Sequence, residues 1–485
     1  MIETAASWTE EGYADVVSAS LSAADLEVEF ANGDVVLIAA SNFGVSGEFE
    51  VSVDPADGMS VDVVSSTGEP LKLPWTLIRS AADPVFAQEM RRRETEEARR
   101  IGLRLRALRE DKNLNQRDVA RIVGMSPPQL SKIESGSLDI RVSTVQSLLR
   151  AMGGTFADIS GDAPEVSRKA VVKSAEKMGV PRDLMSALLT SAPRRSLAGL
   201  VERAFGWRLD HLTAGAIERH VAPAGVAFKA TSGKDPSESP LVLLGQTIAD
   251  IARQASRAGA FSGLPVEGHQ VHLQARDQDG QVTLASLTRW AWSRGVPVVP
   301  LAGRGDFSAA VWSGADAPVI VLKETRELAA YWLFDLAHEC AHIALGHVGD
   351  AGLVDVDSPS PRESSDAMEQ AANEFALEVL VPNHRDLLSQ VRREARGSHL
   401  RFKGAVATVA DAANVNAGVL GLIAAYALTE VGQEKDRWGS ATNLARDDGP
   451  GRAPVQAVAR AGLALQELNE VDALLIRQLV LKGLG

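Results

Sequence analysis

Apolar and polar positions alternate through much of the first eighty residues, the period of strands with one buried face. Leu26, Val28 and Phe30 are spaced by acidic residues, Asn32-Gly33 gives a type I′ turn signal, and 35–38 forms the returning strand. Phe49, Val51 and Val53 alternate again, and a further strand is expected near 61–64. From Asp83 to Leu108 the pattern becomes a long basic helix that includes Arg91-Arg92-Arg93 and Arg99-Arg100. Residues 154–290 read mainly as amphipathic helix, for example over 241–258 and 284–292, with a polar linker at 232–240. Three β-branched runs bounded by Gly and Pro follow at 295–301, 309–312 and 318–323 and read as strands. An apolar helix then ends near Gly346, and a Pro/Ser/Asp-rich connection over 349–366 is a solvated loop or a lid. It leads to a second helix from Met368 that Pro382 stops. More helix is expected over 403–446, and Asp447–Gly451 reads as a flexible linker to a last helix at 454–483.

The apolar helix carries the chemistry. Its residues His338-Glu339-Cys340-Ala341-His342 read HExxH. The i, i+4 spacing puts both imidazoles on one face, about 5–6 Å apart at Cβ. That is close enough to share a zinc ion at about 2.0–2.1 Å. Glu339 lies about 100° further round the helix, where it can reach a catalytic water without being a ligand. A catalytic zinc takes three protein ligands and keeps one position open. In the second helix Glu369 and Asn373 share a face, while Ala372, Phe375, Ala376, Val379 and Leu380 form a stripe suited to packing on the HExxH helix. Glu369 is therefore assigned as third ligand, and Asn373 as a hydrogen-bonding residue that orients a histidine. His347, Glu363 and Asp366 are the other donors nearby; His347 stands at an awkward helical angle and the two acids lie in the polar connection. Cys340 turns away from the two histidines and reads as core. His347, His384 and Tyr331 are candidates for stabilising an oxyanion.

Residues 101–153 show a second constellation. Asn115 is placed to cap a short helix with Val119, Ala120 and Ile122 inward; Gly124 makes a turn; Ser126 caps the next helix, which opens on Pro127, with Leu130 and Ile133 inward. Over about fifty residues this closely resembles Cro/C1-type (XRE-like) helix-turn-helix domains. The resemblance implies that Gln116 holds a phosphate at a helix N-terminus and that Pro128, Gln129 and Lys132 face the major groove of double-stranded DNA, with Ser131 close to the backbone. Arg117 adds positive charge beside them. The Pro127-Pro128 pair lacks hydrogen-bonding side chains, so base-specific readout is expected to be thin.

HExxH followed by Glu369, Ala372, Asn373, Phe375, Ala376, Val379-Leu380 and Pro382 is similar to the ImmA/IrrE family of bacterial and phage zinc metallopeptidases. Ala371 stands where that family often has a second glutamate. With the strands upstream and helices to about 445, the resemblance spans roughly residues 280–445. It implies a gluzincin-like centre with Zn²⁺ on His338, His342 and Glu369, Glu339 as general base, and a protein substrate such as a transcriptional repressor or antitoxin-like regulator.

The fold class expected is α+β multidomain. Its parts are an acidic β-rich domain (1–80), a basic helix plus all-α helix-turn-helix domain (83–155), a helical connecting region (165–290), a zincin-like core with a short sheet (291–400) and a helical extension (401–485). The net charge of −13 conceals an uneven distribution. Residues 1–90 hold 16 acidic and 2 basic side chains, whereas 91–150 hold 14 basic and 8 acidic ones, a local footprint for nucleic acid. One cysteine among 485 residues excludes a disulfide framework and suits a reducing cytoplasm. No apolar run spans a membrane, and residues 1–7 lack a secretory signal pattern. The expectation is a cytoplasmic, DNA-binding zinc endopeptidase acting in a stress or mobile-element response, with a homodimer suited to paired half-sites. The competing reading is a non-proteolytic regulator or antitoxin whose zinc domain senses or binds a partner.

Overall fold

A computed structural model describes residues 16–22, 24–45, 49–53, 59–65, 70–138, 140–161, 163–190, 192–215, 226–229, 239–303, 307–314, 317–323, 327–349, 352–355, 366–396, 398–428 and 434–482. Most of the polar linker at 232–240 and of the connection at 349–366 lies outside them. The fold is α+β. The chain divides into two units, one of residues 1–109 and 114–155, the other of 110–113 and 156–485. No described helix is long and apolar enough to cross a membrane.

The first unit begins with two antiparallel three-stranded sheets. One is ordered β1 (Val16–Ser22), β2 (Asp25–Phe30), β3 (Val35–Ala39); the other β4 (Phe49–Val53), β5 (Ser60–Ser65), β6 (Pro70–Pro74). The alternation does what it predicts: Leu26, Val28 and Phe30 are buried beside Val61, Val63 and Leu73 while Asp25 and Glu29 stay exposed. The turn after β2 differs from the expectation. Only Gly33 has positive φ (85°), so Asn32-Gly33 is not type I′, which needs both residues left-handed. Instead the Asn32 carboxamide oxygen accepts from the Asp34 N–H at 3.1 Å and Gly33 alone takes the left-handed position.

Helix α1 (Trp75–Ala82) seals the sheets with Ile78 and leads into α2 (Pro84–Asp111). Helices α3 (Gln116–Val123), α4 (Pro127–Glu134) and α5 (Val142–Met152) follow. The caps are those read from the sequence. Asn115 accepts from the Asp118 N–H at 2.8 Å, and Ser126 with Gln129 closes a capping box. Val119, Ala120, Leu130 and Ile133 are buried, but Ile122 is 63% exposed, contrary to its expected inward place. Ile122 lies one turn on from Val119, at the flank of the stripe that Val119 and Ala120 bury, and is left in solvent. Gly102 of α2 lies against the Ile133 carbonyl, where a Cβ would overlap it; this lets α2 pass the end of α4 at backbone contact.

The second unit is built on a five-stranded sheet ordered β7 (Val226–Lys229), β11 (Gly352–Asp355), β9 (Ala309–Trp312), β10 (Val319–Lys323), β8 (Val298–Leu301). β8 runs parallel to β10, β9 antiparallel to β10 and β11, and β7 parallel to β11. Strands β8, β9 and β10 are the runs read from the sequence, and every residue of them is buried. β7 and β11 were not expected; β11 lies inside the supposed solvated connection. Helices before the sheet are α6 (Arg168–Lys177), α7 (Arg182–Thr190), α8 (Leu197–Phe205), α9 (Leu209–Ala214), α10 (Pro240–Gln254), α11 (Gly268–Ala275) and α12 (Leu284–Ser293). After β10 come α13 (Ala329–Ala344), α14 (Ala367–Leu380), α15 (His384–Ala395), α16 (His399–Ala413), α17 (Ala417–Leu428), α18 (Glu434–Ala445), α19 (Arg452–Gly462) and α20 (Glu470–Leu475). One apolar core joins residues from Val171 to Leu481.

Two readings of the C-terminal region are corrected. Residues 449–451 are not a free linker: the Gly449 carbonyl accepts from the Ala329 N–H at 2.9 Å, and the Gly451 N–H donates to the Glu327 carbonyl at 2.8 Å. The last helix is broken into α19, α20 and a π-helical segment, Ile476–Lys482. Arg452 ties it back by donating to the Leu479 and Val480 carbonyls.

Candidate metal centre and nucleic-acid interface

Helix α13 is apolar almost throughout, so its polar residues are carried into the core. His338 and His342 are fully buried and Glu339 is 1% exposed. Helix α14 packs against it through Ala372, Phe375, Ala376 and Val379. Its start is fixed by Asp366, which accepts from the Met368 N–H at 2.9 Å. Near its other end His272 of α11 donates from Nδ1 to the Val379 carbonyl at 2.8 Å, and burial pushes the His272 pKa down. Glu369 is thereby set in the first turn of α14 and directed toward α13.

Three ligand atoms converge. His338 Nε2 and His342 Nε2 are 3.0 Å apart, and the Glu369 carboxylate oxygens lie 3.3 Å from the first and 3.0 Å from the second. Among the described residues this is the one cluster of His, Cys, Asp or Glu suited to a metal ion. The donors fit zinc. Bonds of about 2.0–2.1 Å at tetrahedral angles place neighbouring ligand atoms about 3.3–3.4 Å apart.

The remaining sequence candidates sort by position. Cys340 is buried in the core, and desolvation pushes its thiol pKa far up, so it is inert at neutral pH. Asn373 is buried on α14, but its Oδ1 has no hydrogen-bond partner and no described hydrogen bond joins it to either imidazole. The second nitrogen of His342 is occupied by His347, Nδ1 to Nδ1 at 3.0 Å. The contact arises because the chain leaves the helix at Gly346 (φ 70°) and folds back. His347 thus sits behind a candidate ligand. His384 faces Glu374, 3.7 Å away. Glu363 lies outside the described residues.

In the first unit an open concavity of about 810 Å³ is lined by Arg106, Arg109, Asn115, Gln116, Arg117, Asp118 and Ser131. Arg117, Pro128, Gln129, Ser131 and Lys132 surround α3 and α4, and the last four are exposed on α4. Gln116 is not simply an outward phosphate ligand, because its Nε2 donates to Glu134 at 2.7 Å. Glu134 in turn takes two hydrogen bonds from Arg109, at 2.6 and 2.9 Å. Gln129 Oε1 accepts from the Ser126 N–H at 2.9 Å, which removes the acceptor half of any bidentate adenine contact in this conformation. Arg117 on α3 and Lys132 on α4 are exposed cations. Changing both to Glu should weaken DNA binding and flatten the slope of log K against log salt by about 0.9 for each phosphate that is no longer neutralised. Fluorescence anisotropy across a salt series measures it, and an unchanged slope would exclude these residues from the interface.

Comparison with protein families agrees with this division. Residues 105–159 match a helix-turn-helix family model, and residues 301–420 match the model of a peptidase family described as IrrE N-terminal-like domain. No curated protein and no solved structure matches the chain. The polypeptide thus joins a DNA-binding helix-turn-helix domain to a metallopeptidase-family, IrrE N-terminal-like domain.

Proposed function

We propose that this chain is a cytoplasmic, zinc-dependent endopeptidase carried on a DNA-binding module, cutting a transcriptional repressor or antitoxin-like regulator in a stress or mobile-element response. The observation that carries the reading is the convergence of His338, His342 and Glu369 beside a buried Glu339 on the same helix as the two histidines. His338 and His342 would hold zinc through Nε2 and Glu369 through its carboxylate. Zinc, when bound, supplies Lewis acidity and brings the pKa of a water down to about 7. Glu339 would take a proton from the water that attacks the scissile carbonyl and pass it to the departing amine. Burial of Glu339 keeps bulk water from competing for this proton.

The metal half can be tested apart from catalysis. Adding zinc to the metal-free full-length chain should raise its melting temperature, by about 2.7 kcal/mol of stabilisation at a free concentration of 100 times Kd. In a His338→Ala/Glu369→Ala variant the rise should vanish. An equal rise in that variant would place the zinc elsewhere and remove the basis of the proposal.

A further inference from the structure

The contact between His342 and His347 has a chemical direction. Their Nδ1 atoms are 3.0 Å apart, and the rings are tilted by 57° with centroids 5.2 Å apart. Two imidazole nitrogens at that distance share one proton, so one donates and the other accepts. His342 turns its other nitrogen, Nε2, toward His338 and Glu369. If Nε2 is to present a lone pair, the single proton of the neutral ring must sit on Nδ1. His342 is then the donor, and His347 must accept on Nδ1 and keep its own proton on Nε2. The backbone supports this arrangement: the His347 N–H donates to the His342 carbonyl at 2.9 Å, closing the turn that Gly346 makes possible.

The geometry points to His347 as a positioning residue, which holds His342 in the tautomer and ring orientation that aim Nε2 at the ligand cluster. It is not a fourth ligand, because it meets His342 on the side away from the cluster. Metal-bound histidines usually give their second N–H to a carboxylate, a carbonyl or water, and loss of such a partner costs about 10–100-fold in metal affinity. Here a neutral imidazole fills that place. The inference rests on the metal-centre reading above.

The test compares full-length wild type with His347→Leu, His347→Lys and His347→Gln. Leu removes the acceptor, Lys offers only donors, and Gln restores an acceptor oxygen. Zinc affinity is read by competition with a chromophoric chelator, and site geometry by the visible bands of the cobalt-loaded protein. Expected is a loss of about 10–100-fold for the Leu and Lys variants, with altered cobalt bands, and recovery to within a few-fold for Gln. Metal-free melting temperatures should be close to wild type for all three. Affinities of the Leu and Lys variants within twofold of wild type would overturn the inference; if Leu fails to fold, the Lys variant decides alone. Absence of zinc binding by wild type would instead defeat the metal-centre reading, a separate result.

Discussion

Glu339→Gln should lower peptide-bond hydrolysis by about 10²–10⁴-fold while leaving zinc affinity and DNA affinity within a few-fold of wild type. The amide keeps the size and the buried position of the carboxylate but cannot accept the proton of the attacking water. His338, His342 and Glu369 are untouched, so the ligand set persists. The measurement compares new protein N-termini released in cell extract by wild type and by the variant, at matched zinc loading. Cleavage sites that appear equally with both would eliminate Glu339 as base. A variant that supports every regulatory output as well as wild type would favour a non-proteolytic regulator.

The second large effect is expected far from that chemistry. The ion pair of Arg109 and Glu134 is buried, with side chains 10% and 3% exposed, and Gln116 is bonded to the same carboxylate. Glu134→Ala removes the anion facing a desolvated guanidinium and should destabilise the first unit by about 3–5 kcal/mol. The urea midpoint of the first unit's transition, and DNA binding with it, should fall accordingly. Replacing both members by apolar residues should cost much less, since the desolvation of both charges is then avoided. A single variant as stable as the double one would show that the pair is not buried in solution.

The two helices of the candidate metal centre were legible because their evidence is local. Fixed i, i+4 spacing places His338 and His342, and a regular apolar stripe predicts that α14 packs on α13. The caps at Asn115 and Ser126 were legible for the same reason, as each is decided within four residues. What escaped depends on distant partners or on leaving regular structure. β7 and β11 are no shorter than β8 or β9, but β11 lies in a stretch with the composition of a solvated connection, and it takes strand form by pairing with β7 and β9. His347 is argued against as a ligand by its angle and by the helix end at Gly346; that the turn folds it back onto His342 depends on the path of the chain after the helix, which spacing does not give. Asp447–Gly451 has the composition of a loose tether, yet the carbonyl of Gly449 and the N–H of Gly451 meet the chain just before and at the start of α13.

That last pairing orders events during synthesis. The segment that braces the front of α13 leaves the ribosome well after the HExxH sequence has emerged, so a nascent or prematurely terminated product has the histidines without their brace. A chain stopped before Gly449 would carry both histidines on a helix whose first turn lacks these two hydrogen bonds.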